Sequence, residues 1–293
     1  MGLFTPNYNK PGPGVDKNAP EKHRIWQFFE IFWNQLSKLC SINLLYFIAM
    51  LPLVAGLWLC FKIDANAPLF IALRTPNTID LVGLLLLVIS VFISFPATMG
   101  FTYVLRNIQR REHAWIWHDF IKHTKSNYKK GVINGALTLA VYYLCINAYA
   151  MYSSQQVFSS PYISALLSVV ILFLMIVFTW MQFYVNTITV TFDLKLSQIY
   201  KNCFIFAIAK IPLNIFISII CIAITVGILL IPIVIVPLIL WVLILYSLFG
   251  FITVFSVYPT IDKYMISQVE SQEEETHYFG YDESEVSSDE EQE

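Results

Sequence analysis

Residues 79–101 read IDLVGLLLLVISVFISFPATMGF, with a single ionisable side chain, Asp80, at one end. A helix rises about 1.5 Å per residue, so the stretch reaches roughly 35 Å. That crosses a bilayer hydrocarbon core of about 30 Å. A helix also satisfies its own backbone hydrogen bonds, the condition for lying in lipid. The stretch therefore predicts a transmembrane helix.

Five further runs of this kind stand at 39–61, 132–151, 162–190, 207–230 and 238–258. The long stretch 204–258 divides near Pro232 and Pro237, and a break at Lys210-Ile211-Pro212 would shorten the fifth run. Either division leaves an even number. Composition agrees: 57% of residues are hydrophobic and 13% charged, against about 45–50% and 25% in soluble domains. The expected fold is all-α, a polytopic membrane helix bundle of six transmembrane helices arranged as three hairpins.

The basic residues orient it. Of eighteen Lys and Arg, only Lys62 and Arg74 fall in a loop opposite the others. By the positive-inside bias both termini are cytoplasmic. The first forty residues carry five basic groups and no isolated apolar core ending in a cleavage site, so no cleavable signal peptide is expected. Residues 1–24 form a polar arm containing Pro11-Gly12-Pro13-Gly14, and residues 25–265 the transmembrane domain. Residues 266–293 form an acidic tail with eleven acidic groups after Gln268, a composition expected to be disordered.

Three amphipathic segments precede the three hairpins. Ile25, Phe28, Phe29, Phe32 and Leu36 follow a helical 0, 3, 4, 7, 11 spacing. Trp117, Phe120, Ile121, Thr124 and Tyr128 repeat it within a basic loop at 102–131. Leu196, Ile199, Tyr200 and Cys203 make a shorter copy. Each is expected to lie at the cytoplasmic interface, apolar side in the headgroups and basic side toward water or anionic lipid. Helix plus hairpin thus reads as a unit used three times. The candidate lipid-interface or partner-contact residues are Arg106, Arg110, Arg111, Trp115, Trp117, Lys122, Lys129 and Lys130.

Residues that would carry chemistry are scarce. His113, His118 and His123 recur every five positions, a step of about 500° that spreads them over different helix faces. The five cysteines form no CxxC pair or metal-ligand spacing. No charge lies at a span centre, which disfavours a charged transport relay. The neutral groups Asn43, Thr98, Asn134, Asn147, Gln182, Asn186, Asn214 and Thr225 suit interhelical hydrogen bonding, or the wall of a substrate path. Gly131 and Gly135 make one GxxxG. No catalytic, cofactor or metal site is expected, and nucleic acid is disfavoured because lipid headgroups lie beside the basic loop.

Asn7-Tyr8-Asn9-Lys10-Pro11-Gly12-Pro13-Gly14-Val15, Phe28-Phe29-Glu30-Ile31-Phe32, Pro96-Ala97-Thr98 with Gly100, Thr102-Tyr103-Val104-Leu105-Arg106-Asn107, and Tyr258-Pro259-Thr260-Ile261-Asp262-Lys263-Tyr264 together resemble the YesL family. These are bacterial integral membrane proteins classed as a domain of unknown function. The resemblance implies a plasma-membrane location and a link to carbohydrate uptake, since members tend to be encoded beside carbohydrate transporters and two-component sensors. The expected function is a non-enzymatic accessory component that contacts anionic lipid and a carbohydrate ABC permease or sensor kinase. The alternative is a small transporter or channel.

Overall fold

The computed structural model describes residues 23–61, 81–154, 160–233 and 235–267. The polar arm, the loop with Lys62 and Arg74, most of the turn before Pro161 and the acidic tail lie outside them. Among the described residues there are nine helices and no strand: α1 Arg24–Asn34, α2 Leu36–Phe61, α3 Leu81–Gln109, α4 Ile116–Ser126, α5 Tyr128–Ser153, α6 Pro161–Thr191, α7 Leu196–Ala209, α8 Ile211–Leu229 and α9 Ile235–Ile266. Of these, α2, α3, α5, α6, α8 and α9 are long and apolar enough to cross a membrane.

The order is one triplet used three times: a short helix, then two long ones. Within each triplet the first two helices are separated by a single residue. Those residues are Gln35 (φ −112°, ψ 15°), Asn127 (φ −101°, ψ 15°) and Lys210 (φ −115°, ψ 34°). All three sit near the sparsely populated bridge region, outside helical geometry. The break at Lys210 also has a local cause. Pro212 lacks an N–H and suits the first turn of a new helix. The fifth long helix therefore starts at Ile211 rather than near 207, and α7 is longer than the short amphipathic copy suggested.

The long helices interlock around α3, α6 and α9, which all touch one another. On α3, α2 runs antiparallel: Tyr46 meets the Thr98 hydroxyl at 3.0 Å, and Ser94 donates to the Ala49 carbonyl at 2.6 Å. On α6, α5 runs antiparallel through Lys130 to Asp193 (2.9 Å), Asn134 to Asn186 (3.3 Å) and Tyr142 with Thr179 (2.8 Å). The first residues of α8 meet α6 as well, where Tyr184 donates to Asn214 Oδ1 at 2.8 Å and Trp180 to the Ser218 hydroxyl at 3.0 Å. Lipid gives apolar side chains no reason to leave it, so small residues and interhelical hydrogen bonds carry such packing. Gly131 abuts Pro96 and Gly135 abuts Phe95, where α5 crosses α3.

Each short helix docks on the last long helix of another triplet. Helix α4 packs on α3 and α7 on α6. The ring is closed by the two ends of the chain. Phe28 of α1 lies 5.2 Å from the Phe251 ring and 5.3 Å from the Phe255 ring of α9, and Arg24 donates to the Phe255 carbonyl.

One expectation changes here. Helix α3 continues eight residues past position 101, so the basic loop shrinks to about 110–115. Thr102, Arg106 and Asn107 look polar enough for a loop, yet they are buried along with Val104, Leu105 and Ile108. Pro52 and Pro96 lie inside continuous helical stretches.

A π turn at Trp241–Leu245 interrupts α9, and one side chain from α2 holds it. Asn43 donates to the Trp241 and Val242 carbonyls at 3.1 and 2.7 Å, and accepts from the Ser247 N–H at 2.8 Å. Backbone groups displaced by a π turn need partners of this kind.

Candidate functional site

The C-terminal ends of α3, α6 and α9 converge on the side that carries α1, α4 and α7. Helix C-termini present unpaired carbonyls and partial negative charge, and cations near them are favoured. All thirteen described Lys and Arg residues lie toward that end.

Arg106 is at the centre of this end and only 8% exposed. Its guanidinium donates to the Val190 carbonyl at 2.9 Å and the Thr191 hydroxyl at 3.3 Å, both at the end of α6. It also reaches Asn107 Oδ1 from Nε and Nη2, at 3.4 and 3.2 Å. Every one of these acceptors is neutral. The end of the α6 dipole supplies what a carboxylate would elsewhere. The guanidinium lies 4.6 Å from the centre of the Tyr103 ring, and Tyr103 stacks on His123 of α4 at 3.3 Å and 14°. Burial, and then the Lys122 charge, hold the His123 imidazole below its ordinary pKa. The line Thr191–Arg106–Tyr103–His123 thus ties α6 to α3 and α3 to α4.

The candidate residues divide into three groups. Trp115 and Trp117 are 69% and 65% exposed, and Lys122 and Lys129 are exposed beside them. Arg110 pairs with Glu112 at 2.9 Å, Arg111 with Glu30 at 3.7 Å and Lys130 with Asp193 at 2.9 Å. Arg106 alone turns inward. Its stacked neighbours Tyr103 and His123 are not among the sequence candidates; in the sequence Tyr103 stands out only as part of a family motif.

The short helices are also not simple interfacial helices with one apolar side in lipid. Each has two apolar flanks. In α4, Ile116 and Phe120 pack on the core while Trp117 and Ile121 face outward. In α1 the inner set is Phe28, Ile31 and Phe32, and the outer set Trp26, Phe29 and Trp33. In α7, Ile199, Cys203 and Phe206 are buried while Phe204, Ile205 and Ile208 are exposed.

A second feature lies deeper. A cavity of ≈ 270 Å³ opens between α3, α6 and α9. Helix α3 contributes Thr98, Phe101, Thr102 and Leu105, at spacings 0, 3, 4 and 7. Helix α6 contributes Thr179, Gln182, Phe183 and Asn186 at the same spacings. Helix α9 contributes Tyr246, Phe249, Gly250 and Thr253, again the same, and Tyr46 of α2, Thr187 of α6 and Val254 of α9 complete the wall. The wall contains no Asp, Glu, Lys, Arg or His. Nearer the short helices the bundle closes in buried apolar side chains, among them Ile108, Ile188, Val257 and Ile261.

Residues 39–149 match a family model described as "Protein of unknown function, DUF624". The match runs from α2 through most of α5 and includes Tyr103, Arg106 and His123. Comparison with curated proteins and with solved structures gave no match. Together with the six long apolar helices, the family match fits an integral, multi-pass membrane protein.

Proposed function

We propose that this is a YesL-family protein of the bacterial plasma membrane, its three hairpins inserted with both termini cytoplasmic. It acts as a non-enzymatic accessory component of carbohydrate uptake. Its working surface is the face built from α1, α4 and α7, which meets anionic headgroups and a carbohydrate ABC permease or sensor kinase.

The observation that carries this reading is the outward flank of the short helices. Trp26, Trp33, Trp115 and Trp117 are exposed there, with Lys122, Lys125 and Lys129 beside the last two. Indoles favour the headgroup level, where body and N–H meet different media. Lysines near an anionic surface add about 1 kcal/mol each. The permease or kinase rests on the family resemblance.

Crosslinking and pulldown from native membranes, with a tag on the C-terminus, tests the partner. Recovery of a carbohydrate permease or sensor kinase is expected, reduced when Lys122, Lys125 and Lys129 are changed together to Gln. Recovery of the chain alone, in wild type and variant equally, would count against the reading.

A further inference from the structure

We propose that the cavity between α3, α6 and α9 binds a small neutral ligand rich in hydroxyl groups. Three threonine hydroxyls give their hydrogens to the preceding turn: Thr98 to the Ser94 carbonyl (3.1 Å), Thr179 to Met175 (2.8 Å) and Thr253 to Phe249 (2.9 Å). A hydroxyl bonded back in this way keeps lone pairs but no free proton. Thr98 and Thr179 already accept from the Tyr46 and Tyr142 hydroxyls, which leaves each one lone pair, while Thr253 has no such second partner among the described residues. The remaining acceptors suit a ligand that donates O–H groups.

The wall also holds donors. The Gln182 side chain stands beside the Tyr200 hydroxyl, yet its buried Nε2 makes no well-formed hydrogen bond, a costly state for an amide. Asn186, whose Oδ1 accepts from Asn134 at 3.3 Å, also lines the cavity, and its amide carries two donors. A hydroxyl, which both donates and accepts, matches this mixture.

Charge and shape narrow the class further. A carboxylate or ammonium placed here would lose water and find no counter-charge in the wall. Phe101, Phe183 and Phe249 supply apolar surface for the C–H faces of a polyol. The volume of ≈ 270 Å³ lies just below the usual range of about 300–1,000 Å³ for ligand pockets, so the ligand is a single ring or a short chain.

This inference is independent of the partner proposed above; a pulldown that captured neither permease nor kinase would leave it untouched. The test is calorimetric titration of the full-length protein in lipid nanodiscs with myo-inositol and D-glucose, and with the charged counterparts D-gluconate and D-glucosamine. Binding of at least one neutral probe is expected, with its charged counterparts about tenfold weaker or more. Thr253→Val and Gln182→Met, each folded by its thermal transition, are expected to weaken that binding about tenfold. Should Gln182→Met not fold, Thr253→Val decides alone. Absence of binding by both neutral probes, equal binding of a charged counterpart, or unchanged affinity in Thr253→Val overturns the proposal.

Discussion

Gly100 of α3 faces the Phe120 carbonyl of α4 so closely that a Cβ at position 100 would collide with that oxygen. The obstacle is backbone, which cannot rotate aside as a side chain can. Gly100→Ala should therefore force α4 off α3 and destabilise the fold by about 1–3 kcal/mol, the usual cost of overpacking. Gly227, where an added methyl would meet nothing within 4 Å, is the control: Gly227→Ala should be neutral or stabilising by up to about 1 kcal/mol. Thermal unfolding in one detergent compares them, and equal behaviour of the two variants would refute the close approach.

Arg106 should not tolerate lysine. A single ammonium cannot reach Val190, Thr191 and Asn107 together as the guanidinium fork does. Arg106→Lys is expected to lose about 1–3 kcal/mol. A solvated headgroup contact would accept Lys freely, so wild-type stability in that variant would place Arg106 back at the surface.

The docking of α4 should weaken in acid. Because burial lowers the folded-state pKa of His123, the unfolded chain binds the proton more readily below about pH 6.5. The contribution is present above that value and is lost as pH falls through the folded pKa. Hydrogen exchange of α4 amides, compared between pH 7.5 and 5, should show faster opening at the lower pH. In His123→Phe, which keeps a ring against Tyr103, that acid response should vanish; its persistence would assign the effect elsewhere.

The π turn depends on Asn43. In Asn43→Leu the Trp241 and Val242 carbonyls and the Ser247 N–H lose their side-chain partner. At about 1–3 kcal/mol per buried group left unpaired, the variant should melt well below wild type. Coincident melting curves would mean that the turn satisfies itself.

Arg111 should gain from glycine. It holds φ 57° at the end of α3, where the Glu112 N–H bonds to the Asn107 carbonyl and the Arg111 N–H to Ile108. This is the Schellman arrangement, whose left-handed residue is usually glycine. Arg111→Gly removes about 1 kcal/mol of strain against the loss of one exposed pair with Glu30, worth about 0–1 kcal/mol. A higher unfolding temperature is expected, and a lower one would give the Glu30 pair more weight than its exposure suggests.

Long uncharged runs were legible because length and apolarity are local properties that no distant residue alters. The helix ends were less so. Thr102 to Ile108 reads as the start of a basic loop, because polarity alone does not reveal that Arg106 has acceptors waiting on α6. The short helices showed one apolar stripe in sequence, since a period of 3.6 cannot separate a flank that meets protein from one that meets lipid. In α4 that stripe splits, Phe120 inward and Trp117 outward. Asn186 and Thr98 were legible as polar groups suited to helix contacts or to a wall, but Thr253, which shares the cavity with them, was not singled out.

Six apolar helices, the segregation of basic charge between them and the threefold use of a short helix before each pair are written in the order of the amino acids alone. Each follows from composition within a window of about twenty residues. It took the folded chain to establish that α3, α6 and α9 enclose a cavity, that α1 closes the ring on α9, and that Arg106 is buried at the end of α6. The difference arises because lipid rewards apolarity on every side of a helix alike. Which faces meet is settled instead by close-fitting glycines and a few directional hydrogen bonds, between residues as far apart in the chain as Asn43 and Ser247.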